Sequence, residues 1–95
     1  MALFVILASD HAGALELRTA HRPAHRAYLA EQAAMIKVAG PLLDEAGAMA
    51  GSLFIVEAAD IEQARAFNAA DPFTLAGLFE WVEVRPWLLT LGGFA

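Results

Sequence analysis

The chain has no cysteine, which removes disulfides and thiolate chemistry and leaves a reducing compartment compatible. Basic charge is scarce as well: six Lys and Arg stand against eleven Asp and Glu, for a formal net charge of -5. A nucleic-acid partner, which needs clustered Lys and Arg, is therefore not expected. No apolar run approaches the ~20 residues that cross a bilayer. The opening run Met1 to Ala8 has no basic residue before it and is broken by Asp10 and His11, too early for a signal peptide. We expect a soluble, cytoplasmic protein with no membrane partner.

Common catalytic signatures are missing too. There is no HExxH, neither Ser9 nor Ser52 sits in a GxSxG elbow, and Gly40-Pro41 and Gly92-Gly93 lack the strand-loop-helix setting of a phosphate loop. With no repeat, low-complexity tract or linker, residues 1–95 read as a single domain. What the chain does have is apolar material: 59% of residues are hydrophobic and only 18% charged. That is rich for a short chain, and implies either an unusually complete core or apolar surface buried against a partner.

Leu3 to Ala8 is a bulky, β-branched run closed by Ser9-Asp10 and reads as a strand. Asp10 to Thr19 reads as a loop or irregular helix entry. Pro23 suits the first position of a helix, where its missing N–H costs nothing, so a helix is expected from Arg22 to Val38, stopped by Gly40-Pro41. Leu42 to Asp44 is a short strand and Gly47 to Gly51 a turn. Ser52 to Glu57 is the strongest strand. Asp60 and Gln63 have capping-box spacing and open a second helix that ends near Ala70, because Pro72 disfavours helical geometry at Asp71. Leu78 to Arg85 is a fourth strand ended by Pro86, followed by an apolar tail, Trp87 to Ala95.

The order β, α, β, β, α, β predicts an α+β, ferredoxin-like fold: a four-stranded antiparallel sheet with two helices on one face. Leu3 to Ala8 and Leu53 to Val56 have no polar side, so the face away from the helices would also be apolar. A second copy of the chain is the simplest cover, and a two-fold homodimer is expected.

Within the first helix, His25, Leu29, Gln32 and Ile36 share one face, which carries His25 toward the core. A histidine there usually serves packing, and an aspartate before proline usually serves a turn. In this fold, though, the two helices lie side by side, so His25 and Asp71 can meet. A carboxylate on one imidazole nitrogen fixes the tautomer and leaves the other nitrogen basic, the arrangement of a general base. Tyr28 and Phe73, with Trp81, are candidates to line the same pocket, Asp10 to rim it, and Arg22 to offset negative charge on a substrate. His21 and His25 have helical metal-ligand spacing with His11 as a distant third. Pro23 would put His21 before the first turn, so no metal is expected, and no cofactor.

These segments, in order, resemble a known family. Ser9-Asp10, Arg22-Pro-Ala-His25-Arg-Ala-Tyr-Leu29, Ala39-Gly40-Pro41, Gly51-Ser52-Leu-Phe-Ile-Val, Asp71-Pro72-Phe73 and Ala76-Gly77-Leu78 together are similar to the YCII-related (YciI-like) family. The resemblance implies a dimeric α/β barrel, in which two sheets pack face to face. It also implies that the family's histidine and aspartate fall on His25 and Asp71, and the arginine of its R-x-x-H on Arg22. The expected function is a small cofactor-independent enzyme that uses the His-Asp pair for proton transfer, an isomerisation or elimination, on a small organic acid or lactone-like substrate. The alternative is a non-catalytic small-ligand-binding or accessory dimeric domain. A purely structural module would show no open pocket at His25.

Overall fold

Residues 1–94 are described by the computed structural model, so the last residue of the apolar tail, Ala95, lies outside the described residues. Seven elements follow in order: β1 (Ala2–Asp10), α1 (Leu15–Glu31), β2 (Ile36–Leu43), β3 (Met49–Ala58), α2 (Ile61–Ala69), the single turn α3 (Pro72–Leu75) and β4 (Phe79–Trp87). The sheet is antiparallel throughout, in the order β2-β3-β1-β4. The two most apolar strands, β1 and β3, thus take the centre. This is the expected ferredoxin-like α+β arrangement, with one extra helical turn.

Side chains alternate across a strand, and the central pair shows it. Phe4, Ile6 and Ala8 of β1, with Ser52, Phe54 and Val56 of β3, are buried on the side where the helices pack. There Phe4, Ile6, Phe54 and Val56 join Ala58, Ala64 and Phe67 in a core that Tyr28, Leu29, Met35 and Ile61 complete. Leu3, Val5, Leu7 and Leu53 point to the other side and are only partly buried. No helix covers them. Registered beside them on β4 are Trp87, Arg85, Glu83 and Trp81, paired with Leu3, Val5, Leu7 and Ser9.

The first helix and second strand differ from the sequence expectation. The helix starts at Leu15, not near Pro23, and ends at Glu31, so Pro23 lies in its interior. A mid-helix proline removes one hydrogen bond and costs ~3 kcal/mol or more. Here the first two turns are tethered to the sheet by Arg18, whose bonds to β1 and β3 offset that cost. Residues from Ile36 on form β2 instead of a helix end, and Gly40-Pro41 lies inside that strand. The pairing of Ile36 with Val56 and Val38 with Ile55 wins over local helix preference.

Pro41 is tolerated because β2 is an edge strand, as is Pro86 within β4, which therefore continues to Trp87 instead of stopping. The turn between β2 and β3 falls earlier than expected. Asp44 accepts hydrogen bonds from the Ala46 and Ala48 amides and Gly47 takes φ +89, while Met49 to Gly51 already belong to β3. The second helix is as expected: Asp60 caps Gln63, whose side chain returns to the Ala59 amide.

Candidate active site

Asp71-Pro72-Phe73 builds one half of the site. Proline holds Asp71 extended (φ -62, ψ 129) and occupies the start of α3, so the Asp71 carboxylate caps the turn by accepting from the Phe73 amide at 2.9 Å. The same oxygen, Oδ1, lies 2.8 Å from His25 Nδ1. Asp71 is fully buried and His25 is 8% exposed. A carboxylate can only accept, so Nδ1 carries a proton, and in the neutral imidazole Nε2 presents its lone pair. Phe73, itself buried, stacks on the imidazole at 3.9 Å with planes 15° apart, and Phe54 meets it edge-on at 6.0 Å. The ring has little freedom to turn.

Arg18 precedes His25 by seven residues, two helical turns, and so shares its face. It is 2% exposed. Its Nε and Nη2 clamp Asp10 at 2.7 and 3.0 Å, and Nη2 also donates to the Gly51 carbonyl at 2.7 Å and the Ser52 hydroxyl at 2.9 Å. The guanidinium also lies 4.6 Å from the centre of the Phe73 ring. With Asp10 to Thr19 read as a loop or helix entry, the sequence offers Arg18 only as part of a local basic group with Arg22 and Arg26, solvated charges that could meet an anion, and gives no sign of its burial. The signal that finds it is the seven-residue spacing to His25.

A cavity of about 160 Å³ opens beside His25, lined by Arg18, Arg22, Arg26, Leu29, Pro41, Ser52 and Phe54 among others. Three of the chain's six basic residues line it and none of its eleven acidic residues does. In an acidic protein this is a locally positive pocket, suited to an anion. Among the described residues, no protein group bonds His25 Nε2. The cavity at His25 is open in the single chain, a feature that a purely structural module would lack.

The other expected site residues divide. Arg22 lines the cavity. Phe73 lies beneath the imidazole and is fully buried. Asp10 does not reach the His25 cavity; it holds Arg18 and borders a separate pocket with His11 and Asp44. Tyr28 faces a different pocket, where its hydroxyl donates to the Phe67 carbonyl at 2.8 Å. Burial first, then the charges of Asp71 and Glu31, raise the Tyr28 hydroxyl above its usual pKa. The protonated form is thus favoured by folding, a contribution present below the ordinary tyrosine range and lost as pH rises through the raised value. Trp81 is half exposed on the uncovered side of the sheet.

His21 lies within α1, not before it. Among the described residues no three His, Cys, Asp or Glu side chains gather as a metal site, and no helix is long and apolar enough to cross a membrane.

Comparison with known proteins gives a consistent set of relatives. The model of the YCII-related domain matches residues 2–88. Protein YciI from Escherichia coli O6:H1 and Protein YciI from Shigella flexneri are each 39% identical, over 88% of this chain and 94% of theirs. Among solved structures, 5-chloro-2-hydroxyhydroquinone dehydrochlorinase (TftG) from Burkholderia phenoliruptrix AC1100, in complex with 2,5-dihydroxybenzoquinone, has a TM-score of 0.86 at 38% identity. That match covers 90% of this chain and 93% of the other. An antibiotic biosynthesis monooxygenase, at 13% identity and a TM-score of 0.57, shares the fold alone.

Proposed function

The chain belongs to the YCII-related family, and from that premise we propose that it is a small cofactor-independent enzyme in which His25, oriented by Asp71, moves a proton on a small anionic ring compound. The observation that carries the reading is the Nδ1 bond to a buried carboxylate, 2.8 Å long, with the opposite nitrogen unpartnered at an arginine-lined cavity. A cavity of about 160 Å³ matches one six-membered ring, since a cavity of ~150 Å³ holds benzene. Arg22 and Arg26 favour a ring that carries a phenolate, enolate or carboxylate. The TftG complex, with a dihydroxylated ring, supports that size and chemistry.

The proposed step begins with His25 Nε2 taking a proton from a carbon next to a carbonyl, which in a hydroxylated ring means its keto tautomer. The C–H electron pair becomes a C=C bond as the carbonyl oxygen becomes an oxyanion. In an elimination the C=O re-forms, the C=C pair shifts to join the α and β carbons, and halide or carboxylate leaves the β carbon with its electron pair. In an isomerisation the imidazolium returns the proton at another carbon. Neither route needs an oxidant or a metal.

The test is His25→Ala against a panel of lactones and halogenated phenolic acids and hydroquinones, followed by halide release or absorbance. A folded His25→Ala is expected to lose about 10²- to 10⁴-fold in turnover, the usual contribution of a positioned base. Unchanged turnover removes the proposal. Ligand binding without turnover by either protein favours the non-catalytic binding domain.

The same reading includes a homodimer. Leu3, Val5, Leu7 and Leu53 form an apolar strip on the uncovered sheet face, bordered on β4 by Trp81, Glu83, Arg85 and Trp87, and a second copy presents an identical strip across a two-fold axis. Sedimentation equilibrium is expected to give twice the chain mass, and Leu7→Glu to give monomers. A monomeric parent protein contradicts the assembly.

A further inference from the structure

We propose that Arg18 and Ser52 form an oxyanion site in the His25 cavity, binding the substrate oxygen on which charge collects once His25 has taken its proton. The inference rests on the proton-transfer reading above and assigns that site two further contacts with the reacting molecule.

The argument begins with hydrogen-bond capacity. A guanidinium has five N–H donors in a rigid fork. In Arg18, Nε and Nη2 serve Asp10, Gly51 and Ser52. Among the described residues Nη1 has no protein partner, and it is not among the atoms sealed from solvent. Arg18 also lines the cavity that His25 lines. Its remaining donor edge therefore has an open place to act.

Ser52 extends the same logic. Its hydroxyl accepts from Arg18 Nη2 at 2.9 Å, although the residue is only 2% exposed. An oxygen that accepts from a cation turns its own hydrogen away from it. No acceptor in the described protein takes that hydrogen, and Ser52 also lines the cavity. The hydroxyl is thus polarised by a positive charge and left as a donor toward whatever the cavity holds.

Both donors are held before any ligand arrives. Asp10 at the end of β1 and the Gly51 carbonyl in β3 hold Arg18, while the Phe73 ring lies against both its guanidinium and the His25 imidazole. Base and oxyanion donors therefore share one rigid support. Donors fixed in advance where charge develops need no reorganisation during the reaction, and removing one such donor typically lowers kcat about 10²- to 10³-fold.

The test uses binding rather than turnover, so it can fail without touching the role of His25, and the His25→Ala assay can fail without touching it. 4-Nitrophenol reports its ionisation by colour, and its methyl ether, 4-nitroanisole, has the same ring with no ionisable oxygen. The parent protein is expected to bind the phenolate in preference to the phenol. Ser52→Ala is expected to weaken phenolate binding about tenfold or more, the range for a charge-assisted hydrogen bond, with 4-nitroanisole binding unchanged. Ser52→Thr, which keeps the hydroxyl, is expected to retain the preference. A parent protein with no preference for the phenolate overturns the proposal. So does a Ser52→Ala variant that binds phenolate as the parent does, or one that loses both ligands equally.

Discussion

Asp71→Ala is expected to lose about 3–5 kcal/mol of stability, the usual result of removing one partner from a buried ionisable pair, and to lower turnover at least as far as His25→Ala does. The size follows from how much one carboxylate oxygen does. Oδ1 caps α3 through the Phe73 amide and fixes His25 Nδ1, and the residue has no exposed surface. Alanine leaves two buried donors without an acceptor and frees the imidazole to rotate or to carry its proton on the wrong nitrogen. In a domain of this size the loss corresponds to a fall in Tm of roughly 12–40 °C. Asp71→Asn separates the two effects. Its amide oxygen can keep both bonds, but its nitrogen takes the place of Oδ2, a buried atom with no protein partner among the described residues, at a cost of about 1–3 kcal/mol. The fold is expected to survive while turnover falls about 10²-fold, because a neutral amide does not stabilise the imidazolium. Thermal melts and steady-state kinetics on both variants decide this. An Asp71→Asn protein as fast as the parent would mean that Asp71 serves the α3 cap alone.

The second large effect concerns a residue with no side chain. A methyl group at Gly51 would sit 2.4 Å from the Ala8 carbonyl oxygen and 3.2 Å from Leu42 Cδ1. The leucine can move, but Ala8 lies in a central strand bonded on both sides. For Gly51→Ala we therefore expect a loss of about 3 kcal/mol, the upper part of the range for overpacking, with a Tm roughly 12–24 °C lower. Gly40→Ala is the internal control: nothing lies within 4 Å of the added carbon, and its Tm is expected to stay within a few degrees. The two substitutions add the same methyl group to neighbouring strands, so a Gly51→Ala protein as stable as Gly40→Ala would show that β1 and β3 can separate freely. The change at Gly51 should also disturb turnover, because its carbonyl holds Arg18.

The strands were legible where side-chain pattern and position agree. Leu3 to Ala8 and Leu53 to Val56 are apolar on both sides, and they occupy the two central strands. His25 and Asp71 were legible for local reasons: an inward histidine in an alanine-rich helix, and an aspartate fixed by the following proline. The misreadings came from punctuation. Pro23 and Gly40-Pro41 are normally helix boundaries, yet here tertiary bonds from Arg18 carry α1 through the first, and pairing to β3 absorbs the second into a strand. Moving the helix start by two turns put Arg18 in a presumed loop, where a buried arginine is not sought. Tyr28 is a candidate for the His25 pocket on sequence because it follows His25 by three residues. On the actual helix its side chain leans toward α2 and bonds Phe67.

Pro41 and Pro86, each expected to end an element, instead sit in the outermost strands, Pro41 in β2 and Pro86 in β4. Each deprives a sheet margin of one N–H, and charged neighbours, Lys37 on one side and Glu80, Glu83 and Arg85 on the other, line the same strands. A passing strand would find an interrupted row of donors and a charged border, poor templates for end-to-end sheet growth. A chain this rich in hydrocarbon is thereby steered away from growing into fibres along its sheet edges.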